Sequence, residues 1–334
     1  MLLDSLKTLE EWFKTRQRTL PWRDDPSIYR VWISEIMLQQ TQVTTVIPYF
    51  ERFISNFPDI ETLAKASLDD ILLNWAGLGY YSRARNLHKA SKIISERGGF
   101  PDTREDMEKL PGIGRYTAGA VLSISMGLPE AILDANVKRV LSRIRGIQFP
   151  GKEKKRLWKW SDFIVKYAYQ NGIGPSQFNQ ALMELGALIC KSSIPQCFSC
   201  ALKNVCKAYK KGIIPLIDLK IKKEWIKVKE KRFGVLNANN QLLLKRADPS
   251  EWRAGLWDLP NVKPDWIILK KPIRTVTTIH TVTNHKITRI TELYQKSEEK
   301  TIYNDNYYWF PLDQLESPSI ALGSAVKKVI SKII

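Results

Sequence analysis

The stretch LPGIGRYTAGAVLSISMGLPEAILD, Leu110 to Asp134, decides how the rest of the chain is read. It opens on a tight glycine hairpin, Leu110-Pro111-Gly112-Ile113-Gly114, runs on as a helix, and closes on an aspartate. Pro111 presets its own φ, and Gly112 and Gly114 can take φ > 0 without steric penalty. Small residues at Gly114, Ala118 and Gly119 let another backbone or a ligand come close. Upstream, Thr103 and Asp106 are placed to cap a short helix from Arg104 to Leu110. Helix, Gly-rich hairpin, helix is a pattern that grips a nucleic-acid backbone without reading its sequence. The first N–H groups of the second helix suit a phosphate. The same residues also suit a C-cap glycine and a plain turn between two packed helices.

Working outward, 334 residues leave room for two or three domains, each with its own core. The formal net charge of +18 favours a polyanionic partner. No apolar run reaches the roughly 20 residues of a membrane span. The N-terminal MLLDSLKTLEEWFK lacks the basic start and apolar block of a signal peptide. The expectation is a soluble cytoplasmic protein, monomeric, with nucleic acid as its partner and no membrane contact. All four cysteines, Cys190, Cys197, Cys200 and Cys206, fall within seventeen residues as C-x6-C-x2-C-x5-C. That clustering argues for a metal centre in a reducing compartment rather than a disulfide framework. Zinc is the reading from composition alone. The C-x6-C spacing is unusual for a zinc ribbon, which generally pairs two C-x2-C knuckles.

Residues 1–16 read as an amphipathic helix. Asp25 is placed to cap the next one, with Pro26 in its first turn, ending near Gln40. Glu35 sits among Trp32, Ile33, Ile36, Met37 and Leu38. An acid there is either on a solvated face, the commoner case, or semi-buried with a raised pKa that suits a general acid. MLQQTQV (37–43) carries amides that can reach base edges or fill the space of an extruded base, or that simply make an ordinary polar turn. GLGYYSRARNLHKA (77–90) joins a glycine turn, two tyrosines and two arginines, which suits a DNA strand or simply a helix start with surface arginines. Asp134 stands at the N-terminal end of a helix, where a carboxylate is favoured and can act as N-cap. Lys152 to Leu188 reads as helix, interrupted near Gly172–Pro175. The first two hundred residues thus read as all-α.

Residues 201–232 carry eleven Lys/Arg against three Asp/Glu, a linker that ends by entering a strand. Beyond it, FGVLNANNQLLLKRA reads as strand, Asn-rich turn, strand, and RTVTTIHTVTNHKITRITELYQ as two more strands. EWRAGLWDLP places two tryptophans around a glycine turn, and a helix from Gly323 to Ile334 closes the chain. This second region is α+β.

Taken in order, LPWR (20–23), SEIMLQQTQV (34–43), GLGYYSRARNLH (77–88), LPGIGRYTAGAV (110–121), LDANVKRVLSR (133–143) and the four-cysteine loop resemble the adenine DNA glycosylases of the MutY family, in the helix-hairpin-helix glycosylase superfamily. The resemblance is tight over residues 5–210 and looser beyond. It implies a mainly α catalytic region over 1–212, made of a six-helix barrel near 22–130 and an iron–sulfur helical domain of the N-terminal helix with 131–212. A basic linker over 213–230 and a Nudix-like lesion-recognition domain over 231–334 follow. It implies removal of adenine mispaired with 8-oxoguanine or guanine in double-stranded DNA, and a [4Fe-4S] cluster on the four cysteines that orders a basic loop with Lys191, Lys203 and Lys207.

The chemistry can be argued beside that likeness. Adenine leaves poorly unless protonated, and N-glycoside cleavage passes through an oxocarbenium-like state. The resemblance gives Glu35 the proton, Asp134 the cation, Tyr116 a place beside Asp134 and the sugar, and Asn136 the positioning of water or Asp134. Gln40, Leu78 and Tyr80 match residues that intercalate or fill the gap, and Arg23 one near the base pocket. Thr41, Arg83, Gly112 and Gly114 belong with them as DNA-contacting residues. WRAGLWDLP resembles the recognition domain, but no G-x5-E-x7-R-E-x2-E-E run follows, so a Nudix hydrolase is excluded. Many relatives carry Phe-Ser-His where this chain has Val282-Thr283-Asn284, followed by His285. Either Thr283 and Asn284, or His285 in a shifted register, take the lesion-reading places, and discrimination of 8-oxoguanine from guanine is expected to be several-fold weaker. An endonuclease III-like lyase would carry a lysine where Tyr116 stands and would lack Glu35. A G·T mismatch thymine glycosylase would share Asp134 and the four cysteines, but Glu35 and the long C-terminal region argue against it. A catalytically inactive DNA-binding homologue would keep the hairpin and the cysteines for structure alone, which the pairing of Glu35 with Asp134 disfavours.

Overall fold

Helix ends in this chain are set by a few short side chains, and the computed structural model shows which. It describes residues 1–147, 153–217, 224–248, 251, 253–264, 271–296, 306–315 and 320–333. The chain divides into two compact units, Met1–Lys65 with Lys89–Ile221, and Ala66–His88 with Lys222–Ile334. Residue 152 of the expected long helix, residues 218–223 of the basic stretch, Trp252 and the final Ile334 lie outside the described residues.

The helices in chain order are α1 (Leu2–Arg16), α2 (Pro21–Asp24), α3 (Ile28–Leu38), α4 (Val43–Asn56), α5 (Ile60–Lys65), α6 (Leu68–Trp75), α7 (Ser82–Arg97), α8 (Arg104–Met107), α9 (Arg115–Met126), α10 (Ala135–Arg145), α11 (Glu153–Gln170), α12 (Pro175–Leu188), α13 (Lys207–Lys210) and α14 (Ile214–Ile217). The expected cap at Asp25 is corrected: Ser27 caps α3, its Oγ accepting from the Arg30 N–H. Pro26 pushes Asp25 into an extended conformation (φ −134°, ψ 91°), so helix cannot begin there. Thr103 caps α8 as expected, although that helix stops at Met107 rather than Leu110.

In the first unit, Leu6, Leu9 and Phe13 of α1 pack with Val137 and Leu141 of α10, Leu157 and Ile164 of α11, and Phe178 and Leu182 of α12. Trp32, Ile33 and Met37 of α3 are fully buried as well. Each such side chain contributes roughly 1.5–3 kcal/mol. In the hairpin only Gly112 needs the left-handed region, at φ +79°. Gly114 is the N-cap of α9 at φ −104° and does not use the left-handed freedom that a glycine has. Gly119 is required for a different reason. A Cβ on it would lie 2.1 Å from the carbonyl oxygen of Ala131, so α9 rests directly on the segment between α9 and α10 that delivers Asp134. We expect Gly119→Ala to cost at least ~1–3 kcal/mol through overpacking. A melting temperature equal to wild type would show that this backbone approach is not required.

In the second unit, β1 (Ile226–Leu236), β2 (Gln241–Arg246), β3 (Trp257–Asp258), β4 (Arg274–Val282), β5 (His285–Gln295) and β6 (Tyr307–Pro311) form one mixed sheet in the order β3-β2-β1-β5-β4, with β6 on β2. The turn of β1–β2 is built by Asn237, whose Oδ1 accepts from the N–H groups of Asn239 and Gln241. β4 and β5 pair antiparallel up to Val282↔His285, so Thr283 and Asn284 alone make the turn. β1 runs parallel to β5 along its whole length, from Ile226↔His285 to Leu236↔Gln295. Leu242, Leu244 and Leu259 pack on Val326 and Val329 of α15 (Ser324–Ile330), shorter than the helix expected from Gly323. An ion network of Glu230, Arg232, Glu251, Arg253, Asp258 and Arg289 ties β1, β3 and β5 together with the turn before β3.

Candidate active site

α3 is apolar on nearly every side, and Glu35 is carried inward with it, leaving only 5% of the residue exposed. A place on a solvated face is therefore overturned. Burial pushes the Glu35 carboxyl up to about 7, against a Tyr116 hydroxyl that donates to its Oε2 at 2.8 Å. The neighbouring Asp134 charge raises it further, and Arg23 opposes. Tyr116 comes from the first turn of α9, and burial and the two acids hold its phenol protonated.

Asp134 is the N-cap of α10. Its Oδ1 accepts from the Val137 N–H at 2.6 Å and its Oδ2 from the Asn136 side-chain amide at 3.1 Å. Burial raises this carboxyl too, while those donors favour its charged form. Asn136 is itself held, accepting from Arg139 at 2.9 Å, and Arg139 also donates to the carbonyls of Cys190 and Gly186 at 2.7 Å each. Gly186 carries no side chain because a Cβ there would lie 2.7 Å from the Cβ of Asn136.

Glu35, Tyr116, Asp134 and Asn136 line one cavity of about 670 Å³, with Arg23, Gln40 and Thr41 at it as well. Gln40 is left-handed at φ +59°, a strained conformation of the kind found at ligand-binding turns. Sequence reasoning missed Glu184, which shares the cavity wall. It is 1% exposed, takes two bonds from the Arg18 guanidinium at 2.8 and 2.9 Å, and one from Arg23 at 3.1 Å. Burial alone would raise its carboxyl, but the two arginines hold it below the usual range. The signal was available: like Glu35, it is an acid between apolar neighbours, Met183 and Leu185.

Leu78, Tyr80 and Arg83 belong to the second unit. Gly77, Gly79 and Tyr80 are all left-handed, at φ +107°, +73° and +48°, which makes a tight loop between α6 and α7. Tyr80 is exposed and Leu78 is buried. Arg83 differs from a surface arginine. It is buried, and its guanidinium donates to the carbonyls of Leu78 and Gly79, so it holds the loop from inside. Thr283, at φ +54°, stands at the tip of the β4–β5 hairpin with Asn284, and His285 closes it.

The four cysteines line one small cavity with Arg143, Pro195 and Tyr209. Burial pushes the Cys200 thiol up to about 12 and raises Cys197 and Cys206, helped by neighbouring thiolates. Left alone, these thiols stay protonated; gathering them as thiolates needs a cationic group at their centre. The Arg143 guanidinium donates to the Cys190 sulfur at 3.2 Å. Among the described residues no three His, Cys, Asp or Glu side chains are arranged to hold a single metal ion.

Residues 33–162, from Ile33 of α3 into α11, match the HhH-GPD superfamily of base excision DNA repair proteins. An adenine DNA glycosylase of Buchnera aphidicola subsp. Baizongia pistaciae (strain Bp) is 38% identical, over 98% of this chain and 96% of its own. The chain belongs to the adenine DNA glycosylase family. Its catalysis is accordingly that of a DNA N-glycosylase in base excision repair. The Homo sapiens adenine DNA glycosylase is 42% identical over 60% of this chain and 38% of its own length. Among solved structures, a thermostable thymine-DNA glycosylase is similar, with a TM-score of 0.55 and 28% identity over 62% of this chain and 95% of its own. The all-α catalytic region and α+β second region agree with that family assignment. Among the described residues, no helix is long and apolar enough to cross a membrane.

Proposed function

We propose that this glycosylase removes adenine mispaired with 8-oxoguanine or guanine from double-stranded DNA, as a monomer in the cytoplasm. The observation that carries this reading is the pairing, in one cavity, of a buried acid whose pKa is pushed up to about 7 with a second carboxyl that accepts from the Val137 N–H and the Asn136 amide. Glu35 gives its proton to adenine N7. The C1′–N9 bond breaks, the electron pair leaves with the base, and the Asp134 carboxylate faces the resulting sugar cation. Asn136 fixes that carboxylate, and Tyr116 holds Glu35 toward the base. Water adds to C1′ and returns a proton to Glu35, leaving free adenine and an abasic site. The cavity volume suits a flipped purine.

The hairpin at Gly112 and Gly114 grips the backbone with the N–H groups opening α9. Gln40 and Thr41 face the cavity that takes the flipped base, with Arg23 toward the base. The Leu78–Tyr80 loop, braced by Arg83, presents the exposed Tyr80 to DNA. The sheet region serves as a Nudix-like domain after the basic linker, and Thr283, Asn284 and His285 read the 8-oxoguanine.

Among the described residues lining the cavity there is no lysine, so no amine is available for a Schiff base. On an adenine·8-oxoguanine duplex we expect base release without strand breakage until hot alkali is added, and no borohydride-trapped adduct. Trapping at a yield matching base release would overturn the hydrolytic reading. A G·T duplex in parallel tests for the thymine release that the similar solved structure raises, and none is expected.

The donor set at Cys190, Cys197, Cys200 and Cys206, all thiol and with a cationic donor on one sulfur, fits a [4Fe-4S] cluster. When bound, the cluster supplies structure to the cysteine loop rather than a step of the reaction. We expect about four irons per chain and broad visible absorption. Stoichiometric zinc without that absorption would refute the cluster.

A further inference from the structure

Within the second unit, polar contacts and short backbone segments lead from the strands of the β4–β5 hairpin to the two helices that flank the Gly77–Arg83 loop. Beginning at the hairpin, His280 of β4 lies 3.2 Å from the Arg253 guanidinium through its Nε2. Arg289 of β5, fully buried, makes two bonds to Asp258 at 2.8 and 2.9 Å. Arg253 also binds Asp258, at 2.9 Å, so both strands of the hairpin hold the 253–258 turn. That turn presents two carbonyls in the other direction. Ala254 accepts from Arg85 at 2.7 Å, and Gly255 accepts from Arg246 at 2.6 Å. Arg85 stands in the first turns of α7, one turn beyond the loop. Arg246 pairs on both nitrogens with Asp69 of α6, at 2.9 Å through Nη1. Gly255, at φ +83°, is pressed close to Leu72 of α6, whose Cδ1 would lie 3.1 Å from an added Cβ. The two helices that carry the loop are therefore clamped to the same turn that the hairpin strands clamp from the other side.

We propose that Arg246 and Arg85 are positioning residues that couple lesion reading at the β4–β5 hairpin to insertion of the Leu78–Tyr80 loop into DNA. This rests on the reading of those two segments given under the proposed function. A displacement of the hairpin on meeting 8-oxoguanine is carried through side chains that are buried or tied at both ends. The buried pairs of Arg253 and Arg289 with Asp258 have one satisfied arrangement and no cheap alternative, and Arg246, although it meets Asp69 at the surface, is tied at both ends, to Asp69 and to the Gly255 carbonyl. A series of contacts is not by itself a coupling, so the test must measure one.

The probe is a full-length enzyme on duplexes with adenine opposite 8-oxoguanine or guanine, with 2-aminopurine beside the adenine to report unstacking. Arg246→Ala and Arg85→Ala should each lower the unstacking signal and shrink the 8-oxoguanine/guanine rate ratio by about three- to tenfold. Release of adenine opposite an abasic site, where no lesion is read, should stay near wild type. A merely structural role would slow all three substrates together and leave the ratio unchanged. Arg246→Lys, which keeps the charge but not the two-point contact, should give an intermediate ratio. The swap Asp69→Arg with Arg246→Asp should recover part of it. Thr283→Ala or His285→Ala should reduce the ratio in wild type but have little further effect in Arg246→Ala. If both arginine variants keep the wild-type ratio while Leu78→Ala or Tyr80→Ala abolishes unstacking, the coupling is wrong and the loop reading stands. If Leu78→Ala and Tyr80→Ala leave unstacking intact, the loop reading fails and takes the coupling with it.

Discussion

Glu35→Gln lowers the single-turnover rate of adenine release by at least about 10²-fold, and up to about 10⁴-fold. The glutamine keeps the volume and can still accept from Tyr116, so the cavity survives while the proton is gone. The wild-type rate is itself expected to depend on pH through this group. With its carboxyl pushed up to about 7, Glu35 is loaded below that pH and empties above it, so kcat/KM falls as pH rises through about 7. That limb is absent in Glu35→Gln. Stability moves the same way with pH: what the protonated Glu35 contributes is full below about 4.5 and is lost as pH rises through about 7. A carboxyl whose folded-state pKa is raised by burial stabilises the fold only while protonated, and above about pH 7 the buried anion is a cost of a few kcal/mol. At pH 8 the glutamine chain should melt higher than wild type. A variant with near-wild-type rates, or one that melts lower at pH 8, would remove Glu35 from its assigned place.

Asp134→Asn should cost about 10²–10³-fold in rate while leaving the fold and DNA affinity intact. Asparagine caps a helix about as well as aspartate, so the bond from the Val137 N–H persists and α10 still begins at Ala135. What disappears is the charge facing the sugar cation. Asp134→Ala separates the two duties: it loses the cap as well, at about 1 kcal/mol, and melts lower than Asp134→Asn. Equal melting temperatures for the two, or single-turnover rates near wild type in Asp134→Asn, would refute this division.

The sequence made some features legible because their cause is local. The hairpin at Gly112, the cap at Thr103 and the Asn237 turn are settled by a handful of neighbouring residues. The place of Ser27 was missed because two local rules competed at Asp25-Pro26-Ser27, and the restriction before proline won. Glu35 could be singled out but not placed, since a helix with apolar residues on every side gives no face on which to put an acid. Glu184 shows the same pattern and escaped notice because its meaning comes from Arg18 and Arg23, more than 160 residues away. Arg139 and Arg253 are ordinary surface candidates in sequence and become interior braces only through tertiary packing. The parallel pairing of β1 with β5 is long-range in the same sense; alternation of residues along a strand does not choose the partner.

The double duty of Asp134 has a genetic consequence. Because Asn at this position preserves the cap, a cell would accumulate the inert chain at normal abundance, with nothing for its proteases to recognise. On the substrate proposed above, that chain would sit on the mispair and shield it from a functional copy made in the same cell. Loss of the charge should therefore behave as a dominant defect. Gly119→Ala, which weakens the fold, lowers the abundance of the chain instead and leaves a functional copy less obstructed, and so should behave as a recessive one.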